Sequence, residues 1–159
     1  MPYQIPLPPL LPVIVHNDAH VHALLSALHH QNDTRRVELW SPPDAVRWQG
    51  PRWLWLLCHH QAKTFPNCNW AYVLDCGDAV GMALTALDDG IPGIAVINVP
   101  PAALNELRET AHRKSARLFD HRPLRLDLGQ SSDPLHTCHA LLNHDQNLIK
   151  GALCSGHTP

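Results

Sequence analysis

Charged residues are scarce in this sequence, and the two signs of charge are nearly balanced. Asp, Glu, Lys and Arg make up 16% of the 159 residues, well below the roughly 25% of an average soluble protein. The 12 basic and 14 acidic residues give a formal net charge of -2. Proteins that bind nucleic acids or acidic membrane surfaces need clustered positive charge. We therefore expect neither a nucleic acid nor a membrane as a partner.

Long apolar runs are also missing. No apolar run reaches the roughly 18 residues that a membrane-spanning helix needs. Residues 1–11 form a proline-rich, apolar lead segment without Lys or Arg. A signal peptide needs a positively charged start and an unbroken apolar core, and this segment has neither. The sequence therefore predicts a cytoplasmic protein.

Close cysteine pairs and glycine-rich phosphate loops are absent as well. The 5 cysteines include no Cys-x-x-Cys pair, and their odd number favours reduced thiols over a disulfide framework. Neither the G-x-G-x-x-G motif nor the Walker motif occurs, so the sequence identifies no cofactor. Among the 13 histidines, His136 and His139 share one predicted helix face. Such a pair chelates a metal only weakly, and we predict no metal site.

What the sequence does contain is a regular alternation of strand and helix patterns. Short apolar stretches typical of strands cover residues 12–17, 36–40, 70–74, 93–99 and 123–128. Helical spacing of apolar residues follows over 18–31, 51–63, 80–87, 102–118 and 134–148. Such alternation is typical of β-α-β units with a parallel sheet. It predicts a single α/β domain over residues 1–159, with a frayed tail at 151–159.

We expect three layers, α/β/α, around a five-stranded, mainly parallel sheet with the flavodoxin-like order 2-1-3-4-5. In open α/β sheets, ligands bind beyond the carboxyl ends of the strands, where the strand order reverses. In the expected order that point lies between the first and third strands. The polar residues after the strands are therefore the ligand-binding candidates: His16, Asn17, Asp18, Ser41, Asp75, Cys76, Asp78 and Asn98.

Structural roles compete with binding roles at several of these positions. Asp18 and Asp78 can each cap the helix that follows, which contributes about 1 kcal/mol of stability. Gly77 can simply permit a tight turn. Asp75 is harder to explain in this way, because an acid that directly follows an apolar strand needs a partner to compensate its burial.

Asp18 and Asp75 occupy the positions after the first and third strands, and in this the chain resembles the receiver domains of two-component signalling. The resemblance implies an acidic site with a phosphorylated aspartate at Asp75. Receivers carry Thr or Ser after the fourth strand and Lys after the fifth, whereas this chain has Asn98 and Asp127. The resemblance therefore implies a degenerate receiver-like domain without phospho-switch chemistry.

A small enzyme at the same sheet edge is the alternative. Asp75 would act as a general acid or base, or Cys76 would be a nucleophile with His16 as its base. Cys76 lies at a predicted strand-to-helix turn, which favours a thiolate, but the neighbouring acids oppose one. No G-x-S-x-G-like motif surrounds it.

Tryptophans are concentrated around the second predicted helix. Trp53 and Trp55 are two residues apart, so both cannot face the core from one helix. Because tryptophan is enriched at interface hot spots, we take Trp48, Trp53 and Trp55 as candidates for a homodimer contact. Packing of the lead segment over these rings is the other explanation. Taken together, the sequence favours a non-enzymatic module that binds a small ligand or regulates a partner.

Overall fold

The computed structural model describes residues 10–144 and 150–154. Seven strands form one sheet: β1 (Val13–Ile14), β2 (Val37–Trp40), β3 (Trp70–Asp75), β4 (Gly93–Ala95), β5 (Arg117–Phe119), β6 (Arg125–Asp127) and β7 (Leu153–Cys154). Five α-helices lie between them: α1 (Asp18–His30), α2 (Trp53–Thr64), α3 (Val80–Asp88), α4 (Pro101–Arg113) and α5 (Pro134–Leu142).

The predicted α/β class with a mainly parallel sheet is confirmed. Six strands run parallel, and only the two-residue β7 pairs antiparallel, with β6. The predicted strand order is wrong, because the sheet runs β5-β4-β3-β2-β1-β6-β7. β2 therefore separates β1 from β3. The alternation of strands and helices does not specify in which direction each crossover steps along the sheet, and here four successive crossovers step the same way.

Two strands, β5 and β7, were missing from the sequence prediction. The helix expected over 102–118 ends at Arg113, and Ser115 takes a left-handed φ of 55° beyond it. β5 follows at once and pairs with β4. Its three residues are too few to show a period of two, and Leu118 happens to continue the helical spacing of α4.

The two chain ends are described in part. The last predicted helix ends at Leu142, and residues 145–149 lie outside the described residues, as do 1–9 and 155–159. The predicted lead segment thus falls almost wholly outside them, although Leu10 is buried. In the predicted tail, Leu153 and Cys154 form β7 instead of fraying.

The helices pack on one face of the sheet, which corrects the three-layer prediction. All five contribute buried side chains to one hydrophobic cluster, together with strand residues such as Val13, Leu39 and Leu74. A right-handed crossover that always steps in the same direction places every helix on the same face. This applies to α1, α2, α3 and α4, and α5 packs against α1.

The opposite face of the sheet is concave and has its own small core. Ile14, Trp40, Val73 and Ala95 form it, one residue from each of four neighbouring strands, with Phe119 packed against them. Three strand spacings separate β2 from β5, about 14 Å on a flat sheet. The ring centroids of Trp40 and Phe119 are nevertheless 5.0 Å apart. The sheet therefore curls around this face, and side chains at its carboxyl edge converge.

No helix in the described parts of the chain is long and apolar enough to cross a membrane.

Candidate functional site

The carboxylate of Asp75 is the centre of the carboxyl edge of the sheet. Asp75 ends β3, is fully buried, and faces the concave side because it pairs in register with Ala95. Arg122 donates to both of its oxygens, from Nε at 2.7 Å and from Nη2 at 2.8 Å. The backbone N–H groups of Asp44 and Gly77 donate to Oδ1 at 3.0 and 3.1 Å. These four donors compensate the burial of the charge.

Arg122 comes from an unusual connection. β5 and β6 are parallel, so residues 120–124 must return from the end of one strand to the start of the other without a helix. The contact between Arg122 and Asp75 places this return over the concave face. Arg125, which begins β6, lies 3.7 Å from the same carboxylate and stacks its guanidinium over the ring of Trp40 at 5.1 Å.

Ser41 has a structural position beside Asp75. It is fully buried, and its Oγ accepts a hydrogen bond from the backbone N–H of Asp75 at 2.7 Å. Its own N–H donates to the carbonyl of Val73 at 2.9 Å. Ser41 therefore joins the carboxyl ends of β2 and β3 and has no surface from which to meet a ligand.

An open cleft of about 340 Å³ lies above the ion pair of Asp75 and Arg122. The loops after β2, β3 and β4 and the return segment line it, with Asp44, Arg47, Gly77, Asp78, Ile97, Asn98 and Arg122. Arg47 and Asp78 form an ion pair at the rim, where both side chains are about half exposed or more, at 47% and 66%.

Two of the predicted ligand-binding residues, Asp78 and Asn98, line this cleft, and Asp75 lies directly beneath it. Asp78 is not the cap of α3, because Ala79 holds that position without a side-chain hydrogen bond. Sequence reasoning missed Asp44, although Asp44 follows the second predicted strand closely. It also missed Arg122, which lay just before a predicted strand, at the wrong end for a ligand site.

Left-handed backbone is concentrated in this cleft. Eight described residues have positive φ, and four of them (Asn32, Gly90, Ser115 and His144) directly follow a helix C-cap, where this conformation is routine. Of the remaining four, Asp44 (55°), Gly77 (53°) and Asn98 (56°) all line the cleft. Backbone held in such sparsely populated regions clusters at binding and active sites.

His16 and Asp127 form a second polar cluster, apart from Asp75. His16 Nε2 lies 2.7 Å from Asp127 Oδ1, at the adjacent ends of β1 and β6. Asp127 Oδ1 also accepts the N–H of Gly129 at 2.8 Å. The backbone N–H of His16 donates to Nδ1 of His20 at 3.2 Å. The strand order reverses here, so the predicted pairing of His16 with the Asp75 edge does not occur.

Burial and hydrogen bonding lower two pKa values in this second cluster, those of His20 and Asp127. Burial, with a smaller effect of the nearby His16 ring, lowers the pKa of His20, and Asp127 opposes this weakly. Burial alone would raise the pKa of Asp127, but hydrogen bonds from His16 and the Gly129 N–H outweigh it, so that pKa is lowered.

The remaining candidates after β1 are structural. Asn17, not Asp18, is the N-cap of α1, and its side chain accepts the N–H of His20 at 3.0 Å. The carboxylate of Asp18 accepts both of its bonds from Nε2 of Gln61 at 2.8 Å. With β2 between β1 and β3, Asp18 does not lie beside Asp75, as the acidic residue of a receiver domain lies beside its phosphorylated aspartate.

Cys76 does not have the surroundings of a nucleophile. It is fully buried in the hydrophobic cluster on the helix side of the sheet. Burial, with smaller effects of the carboxylates of Asp75 and Asp44, raises the pKa of its thiol to about 12. A thiol in this state is not ionised at neutral pH and lacks a thiolate for attack. The structure thus corrects the assignment of Cys76 to the ligand site.

The tryptophans near α2 lie in different surroundings. Trp48 and Trp53 are 60% and 47% exposed. Trp55 instead packs against the core, with its ring 5.7 Å from Trp70 and 5.6 Å from Tyr72. A homodimer through Trp48 and Trp53 remains a prediction.

No group of three or more His, Cys, Asp or Glu side chains within residues 10–144 and 150–154 is arranged to hold a metal ion. His139, from the pair spaced for chelation, has its Nδ1 2.9 Å from Nε2 of Gln31.

Comparison with known proteins leaves the family of this chain open. No protein-family model matches the sequence, and no curated protein matches it. Among solved structures, it is similar to a protein from Coccidioides immitis described as a fructose-1,6-biphosphate aldolase, with 18% identity and a TM-score of 0.47. The match covers 69% of this chain and 44% of that one, so the chain spans less than half of the aldolase's length. A likeness of this degree carries no argument about function.

Substitution of Gly77 by Ala tests the construction of the cleft. A Cβ at Gly77 would lie 1.7 Å from Oδ1 of Asp44, and φ is +53°. We expect Gly77→Ala to lower the free energy of unfolding by about 1–3 kcal/mol in urea denaturation. Gly81→Ala is the matched control, because a Cβ there meets open space on α3. It should be neutral or stabilise by up to about 1 kcal/mol. Equal effects of the two substitutions would contradict the account.

The lowered pKa of His20 predicts a pH-dependent stability. Below the ordinary value of 6.5, the unfolded chain binds the proton at this position more readily than the folded chain. The contribution of His20 to stability therefore falls as the pH falls through this range. We expect the difference in unfolding free energy between wild type and His20→Gln to shrink on going from about pH 7.5 to about pH 5.5. His60→Gln on the surface of α2 controls for the loss of a histidine, and a pH-independent difference for His20→Gln would overturn the prediction.

Proposed function

We propose that this chain is a small-ligand-binding α/β domain whose ligand occupies the cleft above Asp75 and Arg122. The observation that carries the proposal is the convergence of three successive loops. Each loop, after β2, β3 and β4, brings one left-handed residue to the same cleft: Asp44, Gly77 and Asn98. Helix termination accounts for four of the other five positive-φ positions but for none of these.

The floor of the cleft is preorganised. Arg122 is 10% exposed and is held by two hydrogen bonds to a carboxylate with no exposure at all. Such a charge-assisted, bidentate pair fixes the plane of the guanidinium. A ligand that meets this floor therefore finds it already ordered, which reduces the entropy lost on binding.

Binding without turnover is favoured by the state of the two enzyme candidates. Asp75 already accepts two bonds from Arg122 and two from backbone N–H groups, and it is fully buried and does not itself line the cleft, so a substrate in the cleft does not reach its carboxylate. Cys76 points into the opposite side of the sheet. A volume of about 340 Å³ is at the small end of ligand pockets and suits a compact molecule.

The test is to fill the cleft and to follow binding. Ile97 is the one aliphatic side chain that lines it within the described residues, so Ile97→Trp should occupy the space while the fold is kept. A metabolite collection is screened by amide chemical shifts of the ¹⁵N-labelled chain. We expect a ligand that shifts the amides of Asp44, Gly77 and Asn98 in wild type, and loss of these shifts in Ile97→Trp.

Leu135→Trp is the matched control, since Leu135 is 45% exposed on α5 and does not line the cleft. It should bind like wild type. Ligand-induced shifts centred on His16 and Asp127, unaffected by Ile97→Trp, would move the site to the edge between β1 and β6 and contradict the proposal. No shifts from any compound would also contradict it.

A further inference from the structure

We infer that the ligand of this cleft is a small zwitterion of the α-amino acid type, with an ammonium group bound by Asp44 and a carboxylate bound by Arg47. This inference rests on the cleft being the ligand site proposed above. Three independent features support it: the charge balance of the cleft, the use of its backbone donors, and the low cost of opening its rim.

Among the described residues, the charges around the cleft balance. Asp44 and Asp78 oppose Arg47 and Arg122 in the lining, and beneath it Asp75 faces Arg125 at 3.7 Å. A ligand with a net charge would leave one sign in excess in this partly buried space. A molecule that is neutral overall but carries both charges matches the lining.

Phosphate and other compact anions fit poorly. An anion cradle needs backbone N–H groups that point into the cavity. The backbone N–H groups of Asp44 and Gly77, from two of the loops that line the cleft, both donate to Oδ1 of Asp75 and are not available to an anion. The protein's own carboxylate thus occupies the anion position, and Asp44 and Asp78 would repel a second anion.

Asp44 offers the acceptor that an ammonium group needs. Its carboxylate accepts no hydrogen bond from any described residue, and its nearest opposite charge is Nη2 of Arg122 at 3.7 Å. The side chain is 48% exposed, so it meets the cleft as well as solvent. Its Oδ1 is held against the backbone of Gly77, where any Cβ would collide with it.

Arg47 offers the donor that a carboxylate needs. It is paired with Asp78, but both partners lie at the exposed rim. Exposed ion pairs are worth little, about 0–1 kcal/mol, so a ligand carboxylate can replace Asp78 at the guanidinium at small cost. Arg47 then makes the planar, two-pronged contact that guanidinium groups form with carboxylates.

Amide chemical shifts of the full ¹⁵N-labelled chain test the ligand class. The probes are the free proteinogenic L-amino acids, followed by the N-acetyl and α-amide derivatives of any that bind. D-ribose and inorganic phosphate complete the panel. We expect at least one free amino acid to shift the amides of Asp44, Gly77 and Asn98. Each derivative, lacking one charge, should bind at least about tenfold more weakly.

Two variants test which side chain binds the ammonium group of the ligand and which binds its carboxylate. Asp44→Asn should weaken binding of the free amino acid at least about tenfold. It should leave the affinity for the N-acetyl derivative, which has no ammonium group, unchanged. Arg47→Gln should also weaken binding of the free amino acid at least about tenfold and leave the affinity for the α-amide unchanged. Both sites are half exposed, so each variant should keep the dispersed spectrum of the wild type.

The outcomes separate this inference from the proposed function. If ribose or phosphate shifts the amides of the cleft and no free amino acid does, the ligand class is wrong while the cleft remains the ligand site. Equal affinity for the free amino acid and both derivatives also overturns the inference. If neither this panel nor the wider metabolite collection shifts these amides, the proposed function fails as well.

Discussion

The carboxylate of Asp75 is the group on which the carboxyl edge of the sheet depends. A buried charge of this kind is tolerated only with good partners, and its partners come from three separate segments. Asp44 and Gly77 give backbone N–H groups from the loops after β2 and β3, and Arg122 gives its guanidinium from the return segment. One side chain thus sets the positions of three loops. The cleft is the space between these segments and the loop after β4.

The topology explains why the partners meet. Because four crossovers step in the same direction, the helices share one face, and the other face is free to curl. Curling brings β2 and β5 together through Trp40 and Phe119 and directs the ends of the strands towards a common mouth. The return segment from β5 to β6 then crosses the strand ends and brings Arg122 to the cleft. A flat sheet with helices on both faces has no room for such a return.

Sequence reasoning recovered the class and the strands with strong apolar patterns, such as β3, and it identified Asp75 as an acid that needs a partner. It did not recover β5, whose three residues continue the helical spacing of α4. The sequence did not predict the strand order either, because local patterns do not encode the direction of a crossover. For this reason His16 was grouped with Asp75, whereas it pairs with Asp127. Arg122 joins the site through the return segment, and no local pattern signals that contact.

Asp75 and Arg122 form a structural pair that orders the cleft. A double-mutant cycle with Asp75→Asn and Arg122→Met, measured by urea unfolding, tests it most directly. We expect Asp75→Asn alone to cost about 3–5 kcal/mol, because it removes the buried negative charge to which the guanidinium of Arg122 donates two hydrogen bonds. In the Arg122→Met background the same change should cost at least about 1 kcal/mol less. Effects that add within about 0.5 kcal/mol would show that the two side chains are not coupled, and would contradict the account.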